Sequence, residues 1–325
     1  MRIRPIGGLL LAPVLFTACL KEELPVPKRT ASDTVMEGVA CIGSSYADQV
    51  WYDIRTNRIV STNSKMDWDL AFESGADGWH VRLNGSRFMR ATPTGRADIT
   101  GAVDTTGYGP RWRIDRPSGV ADSTAFGDWR TDHGVYAIDM GYNVNSLPMP
   151  ARQVRIVSVD ASSYTIETAL LNGNNVQRYT VLKDPARRYV HFSLLNGRTA
   201  EVAPPDGDYD LVFTQFTTQF FDPYMAYLVT GAVNGFSGIR VARLTAADFS
   251  AVTLSDTLQH RFSTAEDAIG YDWKDYNFDA SLYKVNTALT YIIQDTEGYF
   301  YKLHFVDFYN EQGQRGCPRF EVVAL

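Results

Sequence analysis

Five histidines and three cysteines are the side chains of this sequence best suited to hold a metal or to run acid–base chemistry, and their neighbours sort them. His80, His191 and His304 each stand between apolar residues (Trp79 and Val81, Val190 and Phe192, Leu303 and Phe305). That alternation puts a histidine on the polar face of a half-buried strand, where a hydrogen-bond partner is the usual need. His133, in Asp132-His133-Gly134, and His260, in Leu258-Gln259-His260-Arg261, sit in or beside loops, where binding groups concentrate. Met225 lies beside Phe220, Phe221 and Tyr224, a thioether among aromatic rings, and Met149 stands between two prolines. No Cys-x-x-Cys or Cys/His spacing suggests zinc. No GxSxG, HExxH, phosphate-binding loop or GxGxxG after a strand is present, so no enzyme is expected.

The formal net charge is −6, and no run of basic residues occurs, which argues against nucleic acid as a partner. At the N-terminus, Arg2 and Arg4 precede an apolar stretch, Ile6 to Phe16, too short to span a membrane. The stretch ends in Leu15-Phe16-Thr17-Ala18-Cys19, which resembles a bacterial lipoprotein signal. Residues 1–18 are thus expected to be a signal peptide, and Cys19 the lipidated N-terminus that anchors the chain in a membrane. Leu20-Lys21-Glu22-Glu23 resembles the surface-export signal of Bacteroidota lipoproteins, which implies an outer-membrane location facing the medium. Residues 19–36, with Pro25 and Pro27, read as a flexible tether. Cys41 and Cys317 lie near the two ends of the folded part. In an oxidising setting they pair or remain two separate thiols, and the sequence leaves both open.

The elements that must position these residues are strands. In Asp208 to Thr214, Tyr209, Leu211 and Phe213 alternate with Asp208, Asp210 and Thr214; in Asp67 to Glu73, Trp68, Leu70 and Phe72 alternate with Asp67, Asp69 and Glu73. Each copy follows a matching strand and turn, Val50 to Ile54 with Asn57, and Tyr189 to Leu194 with Asn196-Gly197. This predicts a strand–turn–strand–turn–strand unit used twice. The expected fold is all-β with very little helix: an N-terminal antiparallel module over 37–150 and a related one over 151–325, divided at Leu147-Pro148-Met149-Pro150. The only helix expected is short, capped by Thr245. Two strands, Leu289 to Gln294 and Tyr299 to Tyr309, around Asp295-Thr296-Glu297-Gly298 predict a hairpin, with Phe320 to Val323 closing its sheet.

Asp67-Trp68-Asp69-Leu70-Ala71-Phe72 with His80 to Asn84 resembles the HmuY family of haem-binding lipoproteins. So do Ile269-Gly270-Tyr271-Asp272-Trp273-Lys274, Tyr283-Lys284-Val285, Tyr299 to Phe305 and the final strand. The resemblance implies haem as ligand and a TonB-dependent outer-membrane receptor as partner. It also implies two axial side chains, one shortly after Trp273. There the sequence reads Lys274-Asp275-Tyr276-Asn277-Phe278-Asp279, without His or Met, so Tyr276 is the donor nearest that position. The axial candidates are therefore His260, Met225, Tyr276 and His133. A second expectation, from the many aromatics, is a β-rich surface lipoprotein that binds a glycan or a partner protein without haem.

Overall fold

The computed structural model describes residues 32, 34–245 and 248–325. The expected signal peptide, Cys19 and nearly all of the tether lie outside the described residues. Residues 32–325 form one compact unit. Its strands are β1 (Met36–Val39), β2 (Asp48–Asp53), β3 (Arg58–Ser64), β4 (Leu70–Glu73), β5 (Val81–Leu83), β6 (Arg90–Pro93), β7 (Val135–Asp139), β8 (Arg152–Val159), β9 (Ser163–Leu170), β10 (Gln177–Leu182), β11 (Tyr189–Ser193), β12 (Arg198–Ala200), β13 (Leu211–Phe221), β14 (Tyr224–Val233), β15 (Arg240–Thr245), β16 (Lys274–Asn277), β17 (Leu282–Val285), β18 (Leu289–Gln294), β19 (Phe300–Tyr309) and β20 (Arg315–Ala324). Among the described residues helix is confined to short 3₁₀ turns, the longest Leu254–Leu258. None is long and apolar enough to cross a membrane. The fold is all-β and antiparallel. Thr245 ends β15 instead of capping a helix; the next helical turn, Phe249–Ala251, is capped by the Asp248 carboxylate on the Ser250 N–H.

The repeated unit explains the topology. Two four-stranded sheets run β3-β2-β13-β14 and β12-β11-β4-β5. In each, a hairpin of one repeat accepts the third and fourth strands of the other: β2–β3 takes β13, and β11–β12 takes β4. The contacts match in kind. Asp69 N–H donates to the Phe192 carbonyl (2.9 Å), and its carboxylate accepts the Leu194 N–H (2.6 Å). Asp210 N–H donates to the Tyr52 carbonyl, and its carboxylate accepts the Ile54 N–H (both 2.8 Å). Trp68 meets His191 edge-on at 4.6 Å and Trp51 meets Tyr209 edge-on at 4.7 Å. The two aspartates, read from alternation as solvent-facing, are buried. Each enters its strand where the partner hairpin turns, and its carboxylate satisfies a backbone N–H that has no ladder partner. Asp69 carries an additional load, a buried ion pair with Arg87, whose guanidinium also donates to the Met140 carbonyl at 2.9 Å.

A five-stranded sheet, β10-β9-β8-β7-β6, extends the first repeat around a core of Phe72, Trp129, Tyr164 and Phe192. Another, β1-β20-β19-β18-β15, closes the second repeat, with Trp273 stacked on Phe305 at 3.8 Å and Phe213 on Phe320 at 5.1 Å. The division expected at 150/151 falls between β7 and β8, which are paired neighbours, and four sheets join strands from both sides of it. Cys41, just past β1, is bonded to Cys317 in β20, joining the first strand to the last.

Removing the two aspartates should separate their roles. Asp69→Ala strands a buried guanidinium and should lower the unfolding free energy by about 3–5 kcal/mol. Asp210→Ala leaves one backbone N–H unpaired and should cost about 1–3 kcal/mol; denaturant melts of both variants give the comparison. Burial pushes the Asp210 carboxyl up to about 6 from 3.8. The folded state thus binds more protons between those values, and stability gained from this group rises as pH falls from 6 towards 4. Asp210→Asn, which keeps the acceptor for Ile54, should flatten that part of the stability–pH curve. Replacing Cys41 and Cys317 together by Ser should cost about 2–4 kcal/mol, read as a lower melting temperature under non-reducing conditions.

Candidate functional site

Two hairpins leave the body of the molecule from a common base. The first is β13–β14, paired from Val212–Val233 out to Phe221–Tyr224. Its neighbour β2 pairs only with Leu211 to Phe213, so the outer half of the hairpin has no strand beside it on that edge. The inner residues are buried, whereas Tyr224 at the tip is 77 % exposed. The second is β16–β17, from Lys274–Val285 to Asn277–Leu282, with Phe278 in its turn 85 % exposed. It is held by the Asn286 N–H on the Trp273 carbonyl (2.8 Å) and the Tyr283 N–H on the Tyr309 hydroxyl (2.7 Å).

Lys274 ties the two roots together. Its ammonium is buried, donates to the Thr230 carbonyl of β14 and sits over the rings of Trp273 (4.2 Å) and Phe308 (4.7 Å). Burial without a contacting carboxylate pulls its pKa down to about 7. β14 also pairs with the segment before Trp273 through Ala232 and Gly270. A Cβ at Gly231 would lie 2.1 Å from the Gly270 carbonyl oxygen, so only glycine permits this approach. Phe220 stacks on Tyr227 at 5.3 Å and reaches Tyr271 at 6.2 Å, carrying aromatic surface from the base outward.

The hairpins offer aromatic faces and two donors of different kinds. Met225, 43 % exposed, presents a thioether from β14, and Tyr276, 39 % exposed, a phenol from β16. No histidine lies on either hairpin. Lys284, paired across from Asp275, is the exposed cation on these strands. This set fits the flat, apolar, carboxylate-bearing ligand that the resemblance implies, with sulfur or phenolate in place of imidazole at the iron. The other two axial candidates are elsewhere. His133, exposed and with φ 48°, packs on Trp129 at 5.9 Å at the start of β7. His260 follows the 3₁₀ turn Leu254–Leu258. No ring contact or hydrogen bond links either to the hairpins among the described residues.

The strand histidines divide. His80 bonds the Glu73 carboxylate at 2.6 Å and stacks on Trp79; His304 bonds Glu321 at 2.8 Å and stacks on Phe249. Each thus has a carboxylate partner on one ring nitrogen, while Nε2 of His80 and Nδ1 of His304 are buried without a hydrogen bond. His191 instead faces a cavity of about 130 Å³ between the two exchanged sheets. That space is well below the roughly 300 Å³ at which pockets for drug-sized ligands begin, and too small for a tetrapyrrole. No group of three His, Cys, Asp or Glu side chains converges as a metal site among the described residues. What sequence reasoning missed is the shared base. A lysine next to Trp273 reads as a surface charge, and nothing local says that β14 approaches it.

Three solved structures resemble the chain at low identity. Apo PinO from Porphyromonas gingivitis is 8 % identical, with 90 % of this chain and 98 % of that chain covered and a TM-score of 0.29. The apo HmuY analog of Tannerella forsythia is also 8 % identical, covering 91 % and 98 %, at 0.24. A Bacteroides vulgatus protein named as HmuY-like and heme-binding is 10 % identical, covering 88 % and 91 %, at 0.21. No curated protein matches the chain. The family model for the HmuY protein, by contrast, matches residues 45–322, nearly all of the folded part. Its members are carriers, not enzymes. The chain belongs to the HmuY family.

Proposed function

We propose that this protein captures haem between the β13–β14 and β16–β17 hairpins and passes it to a TonB-dependent outer-membrane receptor. The observation that carries the reading is the pair of aromatic hairpins with a common root, in a chain that belongs to the HmuY family. Met225 and Tyr276 are the axial donors of this reading, ahead of His260 and His133, because they alone of the four lie on the hairpins. The exposed rings of Phe221, Tyr224 and Phe278 would cover the macrocycle, and Lys284 would meet a propionate. Lipidation of Cys19 and the acidic residues behind it support placement on the outer membrane, facing the medium. The exposed tips of both hairpins leave the ligand edge open to a receptor. The lack of histidine on the hairpins favours, as second reading, an aromatic platform for a glycan.

The test is a haemin titration of the soluble form that begins after Cys19, followed in the Soret region. The expected result is saturation at one equivalent. Met225→Ala should weaken binding at least about tenfold, near 1.4 kcal/mol, with the larger effect on ferrous haem, since the softer iron prefers sulfur. Tyr276→Phe should weaken ferric binding and remove any phenolate-to-iron absorption. Absence of a Soret change in both oxidation states would end the haem reading and direct binding trials to glycans.

A further inference from the structure

The cavity between the exchanged sheets is separate from the hairpins and is built unlike a packing defect. Its walls are aromatic, with Trp51, Trp68, Tyr209 and Phe216 among them, and it lies where the two repeats face each other. Most polar groups around it are already engaged. Gln49 donates to Thr214 and accepts from Trp68 (2.8 Å) and Asn63. Arg82 donates to the Tyr189 hydroxyl at 2.9 Å and to the Gly119 carbonyl, with its guanidinium over Phe236 at 4.4 Å. Asp115 accepts the N–H groups of Leu83 and Ala125. Arg116 and Arg188 also stand at the lining, and two further polar side chains there have no hydrogen bond. The imidazole of His191, a residue only 7 % exposed, and the carboxyl of Glu266 both line the cavity, and neither makes a hydrogen bond. His191 is buried and Glu266 half-buried, and a guest or water in the cavity can supply the partners that the protein does not.

The chemistry of that partner follows from the walls. Burial and the nearby charge of Arg187 hold His191 neutral, at about 3, and burial pushes Glu266 up to about 8. At neutral pH the pair therefore offers one imidazole N–H, one imidazole lone pair, one carboxyl O–H and one carbonyl oxygen. A charged guest would have to be desolvated among aromatic rings, whereas an uncharged one need only match donors and acceptors along an edge. A dry cavity of about 150 Å³ accepts benzene, so 130 Å³ suits one small ring system. We propose that this cavity is a second ligand site, for a small, planar, uncharged nitrogen heterocycle whose ring stacks between Trp51 and Trp68 and whose edge bonds His191 and Glu266.

Pyrimidine and pyrazole, single rings no larger than benzene, are the probes. They would be titrated into the soluble chain that begins after Cys19, by calorimetry and by the fluorescence of the cavity tryptophans. The expected result is saturable binding at one equivalent with a change in emission, weakened at least tenfold in His191→Phe and in Glu266→Gln and abolished in Ala71→Leu, which fills the space. Glu266 is only half-buried, so Glu266→Gln reports even if a core variant does not fold. Haemin titrations of the same variants should match the parent protein, which keeps this site distinct from the hairpins. Absence of saturable binding with both probes means that the cavity holds water only and overturns the proposal. So does binding that Glu266→Gln and the folded cavity variants leave unchanged.

Discussion

Two buried carboxylates, Asp69 and Asp210, hold the centre of this molecule. Each sits at the entry of a strand and bonds the backbone of a hairpin that belongs to the other repeat. Their geometry decides which strand lies beside which hairpin, and the sheets, the cavity between them and the root of β13–β14 follow from that choice. The two sites have drifted apart chemically. Asp69 neutralises Arg87 and so serves the first repeat's core as well as the exchange, whereas Asp210 carries no cation and holds only the Ile54 amide. One repeat is thus clamped by charge and the other by a single hydrogen bond plus packing.

Much of the strand content could be read from local pattern. The alternation at Asp67–Glu73 and Asp208–Thr214 marked both copies of the repeat, and the hairpin at Leu289–Tyr309 emerged nearly as expected. Partner choice could not be read, because β4 meets β11 and β2 meets β13 across well over a hundred residues and a period of two contains no address. The break at Pro148 and Pro150 lies in the link between β7 and β8, which pair in one sheet. Alternation also misjudged Asp69 and Asp210, since a carboxylate that caps a turn can be buried on a nominally polar face.

The candidate binding residues show the same split. Met225 and Tyr276 were identifiable by side-chain type and neighbourhood, but only the fold places them on hairpins with one root, through a lysine that composition alone assigns to solvent. His133 and His260 satisfied the loop criterion and still lie apart from those hairpins. His191 shared its pattern with His80 and His304. What distinguishes it is the lack of a carboxylate within reach, and a strand reveals its cross-sheet neighbours only after it is paired.

The exchange of strands between repeats also bears on how the chain reaches its native state. Neither four-stranded sheet can be completed from one repeat alone, and β1 needs β20, far along the chain. A partial chain emerging from a ribosome or a secretion channel would therefore hold β2–β3 and β4–β5 as unpaired edges until the distant partners arrive. Such long-range pairing is slow to nucleate and exposes sticky backbone in the interval. The exchanged sheets therefore form only once both repeats are made, whereas β6 to β10, consecutive in the chain, can pair earlier.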